Sequence, residues 1–465
     1  MRPRNIALKL EAIKDLFIAR GSLPRGRDRL RRAGLTGTAS LLARGIGIAV
    51  SLVTIPLVMG YLGQERYGIW VILGSLASWL LISDLGFSGN ALVNALSEAN
   101  GRDDQGLGQQ LVATAFWCLM GIAGVLALVF TLLLPVIPWA SFFNASPDVP
   151  AWELHWAVIL SLACFLLMFP LRIVGSVYSG YQEGYIGYIW AIIGSILTLF
   201  VLFGITRVPG GLLELILALA GAQIVIVFGN AVYLFYQQRP WLFPRLRNVT
   251  KKSFQRLRSL GLKYLVSQLA GIALLHSQPI IITQLLGPGD VSIFHIAHRI
   301  LTLPLLVVQM FTFPLLAAYG EAYSRQDWPW LSRTLRRSLV AALLIGICSS
   351  LPLALIARPV IDIWVGSNLI PDFTLVISLC AYVVLYCAAT PISVFLHGLE
   401  CVGGQAAITV VSSILTVGFG IGLTREWGLT GMGIAMAVGM AVNLILQVAH
   451  FHWVKTRTDM LGKRV

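Results

Sequence analysis

The sequence predicts an all-α integral membrane protein of twelve transmembrane helices, in two parallel six-helix halves with both termini cytoplasmic. Three observations predict it. The residues are 57% hydrophobic and 12% charged, with a mean hydropathy of +0.81, whereas a soluble domain carries about twice that charge fraction. Uncharged apolar runs recur along the chain, and one of them, Tyr67 to Ser83, is long enough with its flanks to cross a bilayer. The order of elements in the first half recurs in the second.

The recurrence is read from two stretches. Thr54 to Asp104 reads as the end of one membrane helix, a tight turn at Leu62-Gly63, a second helix that exits near Asp84, and an amphipathic tail ending in charge. Gln278 to Asp327 repeats it: Pro279 answers Pro56, Leu286-Gly287 answers Leu62-Gly63, and AYGEAYSRQD (318–327) answers ALSEANGRDD (95–104). SGYQEGY (179–185) has a fainter echo in HGLECVG (397–403). The offset is roughly 218–224 residues, the period of a half-chain duplication.

The elements follow in order. Residues 1–37 form a basic arm, too charged for a cleaved leader. Ile6, Leu10, Ile13 and Phe17 fall at helical spacing among Lys9, Lys14 and Arg20, the pattern of a helix lying on anionic membrane lipid. The first half, 38–236, holds spans near 38–61, 67–88, 110–137, 152–178, 184–205 and 212–236. A basic linker, 237–259, leads to the second half, 260–453, with spans near 260–286, 291–318, 334–357, 372–397, 404–423 and 428–451, and a tail at 454–465. An even number of spans per half leaves both halves facing the same way, so the repeat is parallel.

Charge sets the orientation. With a cytoplasmic N-terminus, 26 Lys and Arg fall on the inside and four (Arg66, Arg207, Arg358, Arg425) on the outside. The net charge of +14 is accounted for by topology and anionic lipid; no aromatic-basic motif points to nucleic acid. The six cysteines sit in or beside apolar runs without a CxxC pair and read as packing residues. Neither a phosphate loop nor a metalloprotease or nucleophile-elbow motif occurs, so neither a cofactor, a metal nor an enzymatic activity is expected.

IPLVMGYLGQERYGIW followed by SDLGF, with Leu62-Gly63, Tyr67-Gly68 and Asp84-Leu85-Gly86 in that order, resembles the O-antigen and polysaccharide flippases of the multidrug/oligosaccharidyl-lipid/polysaccharide (MOP) exporter superfamily. The resemblance is strongest over residues 35–105. It implies two lobes around a central cavity in a bacterial inner membrane. It also implies export of an undecaprenyl-diphosphate-linked oligosaccharide, such as an O-antigen, capsule or exopolysaccharide unit, by alternating access. A polysaccharide polymerase is then the candidate protein partner. The rival readings are a small-molecule or drug cation antiporter of the same superfamily and an integral-membrane polymerase or glycosyltransferase. The first favours intramembrane carboxylates and the second a large outer loop; the deep charges here are mainly basic and the outer loops short.

A sugar diphosphate cannot cross hydrocarbon, because its hydroxyls and charges would be unsatisfied. Ionisable residues within spans are therefore the candidate site. Arg44 lies about 9 Å inside the first span and Arg299 about 12 Å inside the eighth, too deep for easy snorkelling. Arg172 and Lys263 sit near span ends, where snorkelling competes with a substrate role. These four are the candidate substrate-binding residues; pairing of Arg44 with Asp84, at similar depth, is the structural alternative. His295, His298 and Arg299 share one side of the eighth span, and His276 lies at a comparable depth. Histidine changes charge near neutral pH, so His276, His295 and His298, with Asp84, are the candidate ion-coupling groups; hydrogen-bonded packing is the competing reading. Glu98, Glu183, Glu214, Glu321 and Glu400 read as solvated or capping, and the GxxxG of Gly180 and Gly184 as close helix packing.

Overall fold

A computed structural model describes residues 25–399 and 401–462; Ile6, Leu10, Ile13, Phe17 and Glu400 lie outside the described residues. Helix α1, Arg25–Leu80, carries the basic run at 25–32 straight into the first span and breaks at Gly63, whose φ of 77° lies in the left-handed region. Its second arm closes in a 3₁₀ turn, Leu81–Asp84. Then follow α2 (Asn90–Gly101), α3 (Gln105–Leu133), the short α4 (Trp139–Phe143) and α5 (Ala151–Met168). Pro170 turns the chain through Phe169–Arg172 into α6 (Ile173–Gly180), and α7 (Gly184–Ile205) and α8 (Leu212–Val232) complete the first half.

The linker packs onto the first half: Gln109 donates to the Trp241 carbonyl (2.6 Å) and Trp117 to that of Pro244 (3.1 Å). The second half comprises α9 (Lys251–His276), α10 (Gln278–Leu285), α11 (Pro288–Leu301), α12 (Leu303–Thr312), α13 (Leu315–Ser324), α14 (Trp328–Val365), α15 (Phe373–Gly398) and α16 (Val402–Gly462). Helix α16 breaks at Trp427-Gly428. Its arms lie side by side, Asn443 donating to Ser412 at 3.0 Å.

Among the described residues eight helices are long and apolar enough to cross a membrane, or nine if α11 and α12, bent by 43°, count as one. Two of these run 51 and 52 residues and contain the breaks just described. The chain is thus a multi-pass membrane protein. The seventh and eighth spans depart from expectation. In place of continuous helices at 260–286 and 291–318, the chain breaks at Ser277 and again at Thr302 and Phe313. Pro279, Pro304 and Pro314 each lack the N–H that would continue the preceding helix.

The repeat reaches the level of caps. Gly63 and Gly287 both take positive φ at the same turn. Asp103 and Gln326 both take left-handed φ, and the next residues, Asp104 and Asp327, cap the following helices by accepting from Leu107 and Trp330. Glu98–Arg102 and Glu321–Arg325 pair at matching places. Gly180 and Gly184 pack closely, as read, but on different partners: a Cβ would meet Leu96 at 2.7 Å and Thr36 at 3.0 Å.

The polar loops gather at two ends. At the basic-poor end Arg66 forks onto Glu153 (2.9 and 2.9 Å), which also accepts from Leu212, and Glu65 holds Ser146. At the basic end Glu183 takes Arg32 and Arg239, both at 3.0 Å. The largest apolar core joins the halves, setting Ile55, Tyr67 and Ile72 with Ile282, Val291 and Ile296; each half has a smaller core of its own.

Candidate substrate cleft

Between the halves lies a cleft of about 650 Å³. Both arms of α1 line it (Ser51, Thr54; Trp70, Ser75, Ser78), with Ser161 and Cys164 of α5 and Ile216 of α8. The second half supplies His276, Gln278, His295, His298, Arg299 and Thr302. A second cavity of about 440 Å³ shares Ala77, Ser78, Phe165 and Met168 with it and extends to Arg172 and Asn230. Arg299 and Arg172 therefore lie along one continuous pair of cavities, and no Asp or Glu is among the described residues that line either.

The broken helix explains how Arg299 is presented. It occupies the last turn of α11, with His298 beside it. The carbonyls of a helix's last turn lack intrahelical donors, and a cation there is favoured by the helix dipole. Thr302 donates both its N–H and its hydroxyl to the His298 carbonyl, at 3.0 and 2.7 Å. Arg299 is half-buried. The histidines are held differently. His295 Nδ1 is 2.9 Å from the Tyr67 hydroxyl, across the boundary between the halves. His298 stacks on Phe294 with centroids 5.8 Å apart. The carbonyl of His276, at the end of α9, accepts from the Trp79 indole at 3.3 Å.

The alternative pairing of Arg44 with Asp84 is not formed. Asp84 is 2% exposed and is held by Ser88, whose N–H and hydroxyl donate to its two oxygens at 2.8 and 2.7 Å. Arg172 donates to that same Ser88 hydroxyl at 3.4 Å, so the cation associated with Asp84 comes from the fourth span. Arg44 instead sets its guanidinium 5.3 Å from the Phe313 ring centroid, a cation–π contact across the halves. Equal depth fixes one coordinate of three, and the other two separate these residues. Lys263 falls within α9, and its side chain lies outside the described residues.

Two contacts hold the halves together at opposite ends of the second arm of α1. At the basic-poor end Gly68 lies against Pro288, and Gln64 donates to the Gly289 carbonyl at 3.1 Å. At the basic end Gly86 lies against Gly261, Gln268 donates to the Leu81 carbonyl at 3.1 Å, and Phe87 stacks on Phe254. Sequence reading did not single out these glycine contacts, nor the Arg66–Glu153 fork. It also passed over a group of amides in α12, α15 and α16. Asn443 and Gln447, four apart in an apolar helix, are the signal that points to them.

A family model described as "Polysaccharide biosynthesis protein" matches residues 35–319. No curated protein sequence matches the chain. Among solved structures, the fold is similar to the inward-facing conformation of a multidrug resistance MATE family transporter of the MOP superfamily. The TM-score is 0.75 at 17% identity, over 90% of this chain and 96% of that one. The outward-facing conformation of such a transporter gives 0.64 at 18% identity, over 97% and 99%. The lipid II flippase MurJ in an inward closed conformation gives 0.71 at 13% identity, over 90% and 87%.

Proposed function

Because the chain belongs to the polysaccharide biosynthesis protein family and has the fold of the MOP superfamily transporters, we propose that it flips a lipid-linked oligosaccharide from the cytoplasmic to the outer leaflet of a bacterial inner membrane. The carrier is undecaprenyl diphosphate. The broken helices α1 and α16 contribute two spans each, α3, α7, α8, α14 and α15 one each, and α5–α6, α9–α10 and α11–α13 one each, which gives twelve. The basic end is cytoplasmic, and the two halves are lobes.

One observation carries the choice of substrate: the cleft between the halves is basic and has no carboxylate among the described residues of its wall. A cation antiporter needs the opposite sign. Arg299 meets the diphosphate with a planar fork that matches phosphate oxygens. Arg172, kept in place through Ser88 and Asp84, extends the positive wall toward the cytoplasmic entrance. Arg44 and Lys263 are assigned to the same path. His295 and His298, engaged with Tyr67 and Phe294, serve as packing groups of the cleft wall, which leaves His276 as the histidine free to respond to protons there. Asp84, with both oxygens occupied, positions Arg172.

Alternating access follows from the two contacts of the second α1 arm. Opening outward requires the Gly68–Pro288 contact to part, and opening inward requires the Gly86–Gly261 contact to part. The test is genetic: delete the gene from its host and identify the lipid-linked sugar that accumulates. A sugar-bearing undecaprenyl diphosphate held on the inner leaflet is the expected result. Unchanged polymer export with no accumulating lipid would refute it.

A further inference from the structure

A third cavity, of about 510 Å³, lies mainly in the second half, with Asn90 of the first half on its wall, and shares Leu275 with the cleft. Its chemistry is different. Gln309, Thr390, Ser393, Gln405, Asn443 and Gln447 line it together with His397, and no Asp, Glu, Lys or Arg is among the described residues that do. Two of the amides are 4% exposed and incompletely bonded: Gln405 Nε2 and Gln447 Oε1 are buried without a partner. Their other ends are fixed. Gln405 Oε1 accepts from Ser393 at 3.3 Å, and Gln447 Nε2 donates to Asn443 Oδ1 at 2.7 Å. Asn443 in turn donates to Ser412.

Amides that serve only to join membrane helices use both ends on one another. Buried polar atoms are almost always partnered, and orphans at membrane depth are costly. Here one free donor and one free acceptor belong to side chains of the same cavity. A hydroxyl group both accepts and donates, so a hydroxyl-rich, uncharged ligand satisfies both once the Gln405 and Gln447 side chains turn their buried ends toward it. Tyr386 on the same wall offers an apolar face to the C–H side of such a ligand.

We propose that this cavity is a subsite for a neutral sugar of the lipid-linked substrate, adjacent to the cleft that holds the diphosphate. The inference rests on the flippase reading above. It divides recognition in two: the arginine cleft binds the charge common to all such lipids, and the amide cavity reads the sugar.

The test uses the full chain in lipid nanodiscs. Its probes are bare undecaprenyl diphosphate, undecaprenyl diphosphate bearing one neutral hexose, and the free hexose. Two hydrogen bonds to neutral groups correspond to a gain of about tenfold for the hexose-bearing lipid over the bare one. Gln405→Met with Gln447→Met should abolish that gain and leave affinity for the bare lipid unchanged. Gly271 lines the same cavity, and a Cβ there meets no atom within 4 Å. Gly271→Phe, at a position with room for its Cβ, should therefore project into the cavity and abolish the gain by occlusion, with affinity for the bare lipid reporting that the fold is kept. No gain in the unmodified protein, or a gain surviving Gly271→Phe, would overturn the subsite. Free hexose binding as tightly as the hexose-bearing lipid would make it a pocket for a free sugar and overturn its place in the lipid's path. Arg299→Ala should weaken both lipids alike; unchanged binding of the bare lipid there would count against the flippase reading and leave the amide result standing by itself.

Discussion

Gly68→Ala probes the contact between the halves most sharply. A Cβ at Gly68 would lie 1.8 Å from the Pro288 carbonyl oxygen, against 3.4 Å for ordinary contact, so the two helices must part by roughly 1.6 Å, that is 3.4 minus 1.8. The obstruction is backbone, which no rotamer change relieves. Overpacking of this kind costs about 1–3 kcal/mol, equivalent to a shift of about 5- to 150-fold between two conformations. The strain falls on the form closed at the basic-poor end. The mirror change is Gly261→Ala, whose Cβ would lie 2.1 Å from the Leu85 carbonyl oxygen at the basic end. The assay is disulfide trapping in membranes, with the native cysteines replaced and cysteines placed at Gln64 and Gly289. Gly68→Ala should lower the ratio of trapped to untrapped protein by at least about fivefold, while Gly261→Ala should leave it equal or higher. Equal trapping in both variants, at equal protein level, would refute the two-contact mechanism.

Other outcomes follow from the same structure. Reporter fusions after Gln237 and Arg325 should report cytoplasm and fusions within 141–150 and 361–370 the outside; one inner loop found outside would undo the parallel repeat. Glu153→Ala leaves Arg66 and the Leu212 N–H without their buried acceptor, and should destabilise the protein by about 1–3 kcal/mol in a thermal melt in detergent; an unchanged midpoint would show the fork contributes nothing. His295→Asn with His298→Asn should leave the response of transport to an imposed pH gradient unaltered, because these rings are engaged with Tyr67 and Phe294; loss of the response at normal protein level would make them coupling groups.

Much of the fold was legible because membrane helices announce themselves by composition and because duplication repeats the rare residues. Gly63 and Gly287, or Asp104 and Asp327, are needed for a turn or a cap and so stand out against the apolar background. The breaks at Ser277 and Thr302 were harder. Proline is tolerated in membrane helices when neighbours satisfy the freed carbonyls, so Pro279 and Pro304 alone did not distinguish a kink from an end. Of the candidate site, depth along a span brought Arg299 and the three histidines together, since they lie on consecutive or adjacent helices. Depth left open a pairing of Arg44 with Asp84 that the structure does not form, because rotation about the helix axis is unspecified by a run that is apolar on all sides. The amide cavity was invisible for another reason: it is assembled from α12, α15 and α16, and each residue taken alone reads as a helix-packing amide.

The most direct measurement is flipping by the purified chain in liposomes. A fluorescent undecaprenyl-diphosphate-linked oligosaccharide is loaded in both leaflets, and a membrane-impermeant quencher reads the fraction that crosses. The unmodified protein should move it faster than protein-free liposomes. Arg299→Ala should return the rate to that of protein-free liposomes, and Arg299→Lys should keep only part of it, because charge survives without the planar fork. Full flipping by a correctly inserted Arg299→Ala protein would contradict the anionic-substrate cleft.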